Sequence, residues 1–226
     1  MSKSPESLDN PFLNDNRLYD FRNEDFYIRE EFPIINNWIK NKTKNIDLGC
    51  GNGSLMKYLK EQKNIEIEGI EISQSGVDFC LKNELIAKRG EIDKQETYNC
   101  FSNQQFDYAI CNVTLQMLLF PEIFIKEMTR ISKYQIISFP NFAYFENRLD
   151  LLFNGVMPRP MLHKYSWFNT GHIHQLSIKD FKSFCKKNGL QIIKREDFGC
   201  FSFISRWFWP NFFSKESIFL CKKYDI

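Results

Sequence analysis

The sequence predicts an α/β fold in which helices cover both faces of a doubly wound, mostly parallel sheet of seven strands. Apolar runs of strand length alternate with stretches of helical periodicity along most of the 226 residues. A glycine-rich turn at residues 49–53 joins the first strand to a helix. Polar residues also follow several predicted strands, and the carboxyl ends of parallel strands meet at one sheet edge. A ligand site is therefore expected at that edge.

The composition is that of an ordinary globular protein, with 43% hydrophobic residues, 26% charged residues and a net charge of +2. The length suits one domain with elaborations. No Lys/Arg run indicates a nucleic-acid partner, and no apolar run of membrane-spanning length or leader segment is present. None of the seven cysteines forms a C-x-x-C pair. We expect a reduced, cytoplasmic protein without a metal site, and its oligomeric state stays open.

The first 30 residues form an extension in front of the single domain expected at 31–226. Residues 1–18 are polar and typical of weakly ordered chain. Residues 19–27 mix aromatic and charged side chains, so we expect them to dock on the domain as a lid over the cleft at the sheet edge. The next stretch, 30–40, has helical spacing of its apolar residues.

The remaining elements follow from periodicity and from end signals. Strands are predicted at 44–48, 65–72, 85–89, 105–112, 134–139, 190–194 and 217–223. Helices are predicted directly after Gly53 and at 74–82, 121–131 and 177–188, with Ser73 and Ser177 as N-caps. Two inserts are expected on the side of the ligand, at about 140–175 and 197–213.

The turn at the first strand reads N-I-D-L-G-C-G-N-G and places glycines at alternate positions behind an acid. Glycine tolerates positive φ and has no Cβ, so the backbone can turn sharply and lie against a ligand. The loop also ends at a helix N-terminus, where N–H groups are free. A tight turn alone needs fewer glycines. The dinucleotide fingerprint G-x-G-x-x-G fits only in part, because its third glycine would fall on Ser54.

This loop resembles the E/D-x-G-x-G-x-G loop of class I S-adenosylmethionine-dependent methyltransferases at every position. The resemblance implies their Rossmann-like fold and the cofactor S-adenosyl-L-methionine. It implies that the acid holds the amino-acid part of the cofactor and that the loop backbone approaches the rest. The residues concerned are Asp47, Gly49, Cys50, Gly51 and Gly53.

Three later strand ends extend the resemblance. Glu71 ends the second strand, where a carboxylate can accept hydrogen bonds from both ribose hydroxyls; the alternative is a solvated acid. After the third strand the resemblance implies an acid and an apolar neighbour at the adenine. Asn112 ends the fourth strand, where methyl donor and acceptor meet, or else it caps a helix. The further residues concerned are Ile72, Glu91 with Asp93 as the rival acid, Ile92 and Gln116.

The second half resembles a narrower family, the MetW proteins of bacterial methionine biosynthesis. The similar stretches are Q-I-I-S-F-P-N-F, N-R-L-D-L-L-F-N-G-V-M-P, Y-S-W-F-N-T and I-H-Q-L-S-I-K-D-F. This resemblance implies an alternative function, a non-catalytic partner of a homoserine O-acyltransferase. The chain departs from the family in its extension of about 30 residues and its aromatic insert. These additions favour an enzyme.

The acceptor is expected to be a small polar molecule such as a sugar, a phosphoryl group or a surface-polysaccharide precursor, methylated on oxygen rather than nitrogen. Histidine is the residue type whose ordinary pKa, about 6.5, suits a base at neutral pH. His174 is the candidate base, and its alternative role is to hydrogen-bond the insert into place. Aromatic residues of the insert would line the pocket or pack in the core. Candidate acceptor-binding residues are Tyr27, Gln116, Asn141, Tyr165, Trp167 and His172, with Phe168 and His163 nearby.

Overall fold

A computed structural model describes residue 21 and residues 25–158, 167, 171–199 and 208–224. Seven strands form one sheet in the order β3-β2-β1-β4-β5-β7-β6. The strands are β1 Lys44–Leu48, β2 Glu66–Glu71, β3 Ile86–Arg89, β4 Phe106–Asn112, β5 Ser132–Pro140, β6 Leu190–Phe198 and β7 Glu216–Lys223. All neighbours are parallel except β7, which runs antiparallel to β5 and β6. The prediction of a doubly wound, mostly parallel sheet is confirmed.

The described helices are α1 Phe32–Trp38, α2 Ser54–Gln62, α3 Gln74–Lys82, α4 Pro121–Ile131, α5 Phe145–Leu149, α6 Ile178–Lys187 and α7 Pro210–Phe213. Helices α1, α2, α3, α4 and α6 begin and end close to the predicted positions, whereas α5 and α7 lie within the two expected inserts, where no helix is predicted. Ser73 caps α3, and Ser177 forms a capping box with Asp180 at the start of α6. No described helix has the length and apolar character needed to cross a membrane.

Three further elements lie outside the predicted pattern. Two are 3₁₀ turns, Gln95–Tyr98 and Leu115–Met117, and the third is a π-helical turn, Asp150–Asn154, that continues α5. They are too short to produce a periodic signal. Strand β6 also continues to Phe198 past a bulge, so the expected aromatic insert begins inside a strand rather than after it.

Helices cover the two faces of the sheet separately. Helices α1, α2 and α3 pack on one face through residues such as Ile35, Leu59 and Val77. Helices α4 and α6 pack on the other through residues such as Met128 and Phe181. Each core lies against strand residues of alternate parity, as expected when successive side chains point to opposite faces.

This alternation places a series of polar side chains on the α1–α3 face at one edge of the sheet. On β1, for example, Ile46 and Leu48 belong to the α4–α6 core, so Asp47 between them points to the opposite face. On β2, β4, β5 and β7 a polar side chain near the same edge also points to this face. These strands and β1 are consecutive in the sheet, in the order β2-β1-β4-β5-β7. We call these side chains the polar row: Glu71, Asp47, Asn112, Ser138 and Glu216.

Candidate active site

The glycine loop follows β1 and adopts a conformation that only glycine tolerates well. Gly49, Gly51 and Gly53 have φ of 84°, 56° and 77°. A Cβ on Gly49 would lie 2.7 Å from the Thr114 side chain, and one on Gly53 would lie 2.6 Å from Leu85. A Cβ on Gly51 would instead have room, since its nearest neighbour is a ring atom 3.6 Å away. Among the described residues only that ring, of Phe21, lies within 4 Å of this position, so we call it the open side of the loop, whereas Gly49 and Gly53 are closely packed.

Glu71, at the end of β2, holds this loop in place. Its Oε2 accepts a hydrogen bond from the Gly51 N–H at 2.8 Å, and its Oε1 accepts one from the Ser73 N–H at 2.9 Å. The side chain is 4% exposed. The carboxylate is thus buried and structured, not the solvated strand-end acid of the alternative interpretation.

Asp47, on β1, is a buried carboxyl group of the polar row whose pKa is raised. It is 2% exposed, and its Oδ1 has no hydrogen-bond partner among the described residues. Burial, together with the charge of Glu71, raises the pKa of Asp47 to about 7. A buried carboxylate oxygen without a donor costs free energy. A ligand with a cationic N–H group would supply that donor, so the site fits the ammonium of the cofactor's amino-acid part.

The end of β4 is strained. Val113 has φ of 56°, which is rare for a β-branched residue. Its N–H donates to the Ser138 Oγ at 3.0 Å, and that hydroxyl donates to the Asn112 Oδ1 at 2.6 Å. The Asn112 side chain therefore bonds across the sheet and caps none of the described helices. Sequence reasoning missed Ser138 and Val113, because a serine inside an apolar strand and a valine after a strand give no signal of a site in their own short segments.

After β3 the two rival acids have different surroundings. The Asp93 Oδ2 accepts hydrogen bonds from the N–H groups of Leu119, at 2.8 Å, and Phe120, so it ties down the loop before α4. The Glu91 Oε1 pairs with Lys94 at the surface, at 2.8 Å. This difference favours Glu91 over Asp93 as the acid that can meet a ligand.

Three more residues that were predicted to bind the cofactor, Cys50, Ile72 and Ile92, have buried or half-buried side chains. Ile92 is 6% exposed and belongs to the α4–α6 core, and Ile72 is half-buried. The Cys50 side chain packs into the α1–α3 core, where a Cβ on Gly69 would lie 2.5 Å from its sulfur. A hydrogen bond with Cys80, together with burial, raises the pKa of the Cys50 thiol well above its usual range. Cys50 therefore offers a ligand its backbone, not a thiolate.

Part of the N-terminal extension lies on the glycine loop. The Tyr27 N–H donates to the Ser54 Oγ, and the Asp25 carbonyl accepts from the Asn52 side chain, both at 3.1 Å. Further up the chain, the Phe21 N–H donates to the Ser75 Oγ at 3.1 Å. The Phe21 ring contains the atoms nearest to Gly51 on its open side. The Tyr27 side chain itself is 48% exposed.

A charge cluster stands at the β7 end of the polar row. Arg29 contacts the Glu31 Oε1 at 2.7 Å and the Glu216 Oε1 at 3.7 Å. Burial and the adjacent Glu31 raise the pKa of Glu216 well above its usual range. A second carboxylate nearby disfavours ionisation of the first, which adds to the effect of burial on Glu216. No local sequence signal could reveal this cluster, because its members lie at opposite ends of the chain.

Two of the histidine candidates, His172 and His174, lie beside the loop that follows β4. The N–H groups of Ile173 and His174 both donate to the Gln116 carbonyl at 3.0 Å. The exposed His174 side chain lines a cavity beside α4 and α6, whereas His172 is 5% exposed. Gln116 is 2% exposed, and its Oε1 has no partner within the described chain. The structure therefore does not place His174 in the polar row.

The remaining acceptor-side residues are dispersed. Asn141 is completely buried, and its amide donates to the Ser214 carbonyl at 2.7 Å, which pins α7 to the end of β5. Trp167 is 74% exposed. Tyr165, His163 and Phe168 lie outside the described residues.

Comparison with known proteins identifies the fold. A methyltransferase structure from Archaeoglobus fulgidus, described as dependent on S-adenosylmethionine, has a TM-score of 0.64 at 14% identity and covers 85% of this chain and 91% of its own. The [4+2]-cyclase SpnF has a TM-score of 0.62 at 13% identity and covers 89% and 84%. At such identities the likeness shows the fold alone, which is the Rossmann-like fold of class I methyltransferases.

A relative and a family match narrow the identification. The bifunctional methionine biosynthesis protein MetXA/MetW of Rhodopirellula baltica is 31% identical over 150 residues, which are 61% of this chain and 23% of that protein. The chain thus matches less than a quarter of the length of this relative. The family described as methionine biosynthesis protein MetW matches residues 29–221, which include the glycine loop and nearly the whole sheet. The chain therefore belongs to the MetW family.

Proposed function

We propose that the protein is a methyltransferase that uses S-adenosyl-L-methionine. The observation that carries this proposal is the buried Asp47 oxygen, which has no donor within the described part of the chain, beside a glycine loop whose open side is at Gly51. An ammonium group would satisfy Asp47 and lower its raised pKa. Glu71 and Glu91 would hold the ribose and the adenine, and Asn112 would stand at the reacting end. Backbone or side-chain support would come from Gly49, Cys50, Gly53, Ile72 and Ile92.

The chemistry is direct transfer of a methyl group to an acceptor oxygen. The bound cofactor supplies a methyl group on a positively charged sulfur. Holding two reactants in near-attack geometry can be worth about 7–11 kcal/mol of the barrier. A base is needed only for a neutral hydroxyl, and His174 is the candidate to take that proton. The acceptor is a small polar molecule that contacts the insert around Trp167 and His172, with Tyr165 and Asn141 also proposed.

A second candidate function is that of a partner to an acyltransferase, without chemistry of its own. One observation favours a binding surface. The end of α5, its π-helical continuation and the residues just after it expose several apolar side chains, between 42% and 75%. They are Leu149, Leu151, Leu152, Phe153, Val156 and Met157. Turnover with candidate acceptors supports the first function, and copurification with an acyltransferase without turnover supports the second.

The cofactor assignment is tested by calorimetric titration of S-adenosylmethionine into the wild type and Glu71→Gln. Glutamine keeps the size of the side chain and can still accept one hydrogen bond from the loop. We expect affinity to fall by about 1.5–3 kcal/mol, the usual worth of hydrogen bonds to a charged group. Glu61→Gln, at an exposed position on α2, should leave affinity unchanged. Binding of NAD without binding of S-adenosylmethionine would overturn the assignment.

A further inference from the structure

We propose that the cavity between α4 and α6 binds an apolar arm of the methyl acceptor, so that the acceptor is a neutral hydroxyl compound with a ring or a short alkyl group. This inference rests on the proposed function and narrows its acceptor class. It disfavours a phosphoryl group or a free sugar as the part bound here.

The size and lining of the cavity suit a small apolar group. Its volume is about 230 Å³. An apolar cavity of about 150 Å³ can hold a benzene ring. The present cavity is therefore large enough for a ring with a substituent and small for a whole drug-sized ligand. Most of its lining is apolar and comes from Leu115, Pro121, Leu176, Phe181 and Phe184, with His174 and Asp180 as its polar members.

The charges around the cavity exclude an anionic group. The residues that line it include no lysine or arginine. The Asp180 carboxylate accepts hydrogen bonds from the Ser177 N–H, at 3.0 Å, and from its hydroxyl, at 2.6 Å, within the capping box of α6. Helix α4 begins with Pro121, which has no N–H to offer. A phosphate or carboxylate would thus meet the Asp180 carboxylate, and no lysine or arginine of the lining would compensate its charge.

The cavity and the proposed reaction centre share the loop that follows β4, with the cavity on the α4–α6 side of the sheet and Asn112 on the α1–α3 side. Leu115 follows Asn112, at the end of β4, by three residues. The backbone of His174 is fixed to the same loop through the Gln116 carbonyl. The exposed His174 imidazole thus provides a hydrogen-bonding group next to an otherwise apolar volume, as a hydroxyl on an apolar arm requires.

Residues that adjoin the cavity lining in sequence expose further apolar side chains. Leu119 and Phe120, which precede α4, are 48% and 52% exposed, and Ile173 beside His174 is 47% exposed. Large apolar side chains grouped at a cavity are typical of ligand sites rather than of plain surface. The acceptor's apolar arm would cover them on binding.

The test uses phenol as the probe, titrated into the cofactor-free full chain and followed by NMR signals of the His174 imidazole. We expect saturable binding in the millimolar range, since a ligand of seven heavy atoms gains little affinity in total. Leu176→Trp, which fills the cavity, should weaken binding at least about tenfold. Leu81→Trp, at a position 55% exposed on α3, is the matched control and should bind phenol as the wild type does.

Two further measurements keep the proposal falsifiable if Leu176→Trp folds poorly. Phe184→Ala widens the cavity from its half-buried side, so it should shift preference from phenol toward 2-naphthol. Phenyl phosphate should bind the wild type at least about tenfold more weakly than phenol, because the lining has no cation. Absence of phenol binding, equal binding by Leu176→Trp in its folded state, or preference for phenyl phosphate overturns the inference. The S-adenosylmethionine titration is independent of all three and decides the proposed function separately.

Discussion

At the scale of single residues, the polar row is costly to the free protein. Asp47 is buried close enough to Glu71 for the charge of Glu71 to raise its pKa, and one of its oxygens has no donor among the described residues. Such an arrangement is a candidate functional feature because folding alone gains nothing from it. The cost should be visible as a dependence of stability on pH.

We predict that Asp47→Asn stabilises the cofactor-free protein at alkaline pH. The folded-state pKa of Asp47 is raised from 3.8 to about 7, so the folded protein binds this proton more tightly than the unfolded chain. The free energy of unfolding of the wild type therefore falls as pH rises from about 4 to about 7. Asparagine does not ionise, so Asp47→Asn avoids this loss in the free energy of unfolding, which reaches about 4 kcal/mol at pH 8. The free energies of unfolding of the two proteins should be similar near pH 4.

Urea unfolding of both proteins at pH 4 and pH 8 measures the difference. Asp47→Asn should also lose affinity for S-adenosylmethionine, because a neutral amide attracts an ammonium less than a carboxylate does. A stability difference that stays constant between the two pH values would contradict the raised pKa.

A second prediction at this scale concerns His174 as the base. His174→Asn should keep cofactor affinity near wild type and lower the transfer rate about 100- to 10,000-fold, the usual contribution of general base catalysis. The comparison requires an acceptor found by a substrate screen. Unchanged activity would place the base elsewhere or mean that the acceptor is already an anion. Joint loss of stability and cofactor binding would make His174 structural.

At the scale of elements, the glycine loop contains two glycines that packing favours and one, Gly51, that we expect ligand binding to need. Gly49 and Gly53 are held by packing, since a Cβ on either would lie under 3 Å from a neighbour. Gly51 and Gly155 share a left-handed φ, 56° and 61°, and both have room for a Cβ. They differ in location, because only Gly51 belongs to the loop.

We predict that Gly51→Ala and Gly155→Ala lower stability alike, by about 1 kcal/mol each, through backbone strain. Only Gly51→Ala should weaken S-adenosylmethionine binding, because its methyl group occupies the open side of the loop. Chemical unfolding and calorimetry on the pair give both quantities. Equal cofactor affinity in the two variants would show that the ligand does not approach Gly51.

At the scale of the whole molecule, the N-terminal extension connects the two ends of the polar row. Its described residues bond to Ser75 on α3 and to Asn52 and Ser54 at the glycine loop. Farther along, Arg29 and Glu31 meet Glu216 at the start of β7. A segment that contacts the edge at these points is well placed to close over a ligand.

We predict that deleting residues 1–28 leaves the domain folded and reduces cofactor affinity or turnover. The deletion removes the contacts of Phe21, Asp25 and Tyr27 but keeps the Arg29–Glu31–Glu216 cluster. Thermal melts check the fold, and deletion of 1–18 alone, which keeps those contacts, is the control. If affinity and turnover match the control, the segment is no lid.

The sequence by itself determined the features whose interactions are local. The helix ends at Ser73 and at Ser177–Asp180 depend on residues within one turn of each other. The glycine loop also depends on a few consecutive residues, and its positive φ values follow from glycine at those positions. The alternation of strand-length apolar runs with helical stretches then predicted the parallel sheet, because strands that are buried on both faces leave near-continuous apolar runs in the sequence.

Only the tertiary structure decided which distant residues meet. The antiparallel direction of β7 leaves no periodic trace, since a reversed strand alternates in the same way. That direction brings Glu216 to Arg29 and Glu31, and the pairing of β4 with β5 brings Ser138 to Asn112. The position of His174 beside α4 and α6 likewise depends on its long-range bond to Gln116. These contacts follow from the order and direction of strands in the whole sheet, which minimise exposed apolar area globally and are not encoded in any short segment.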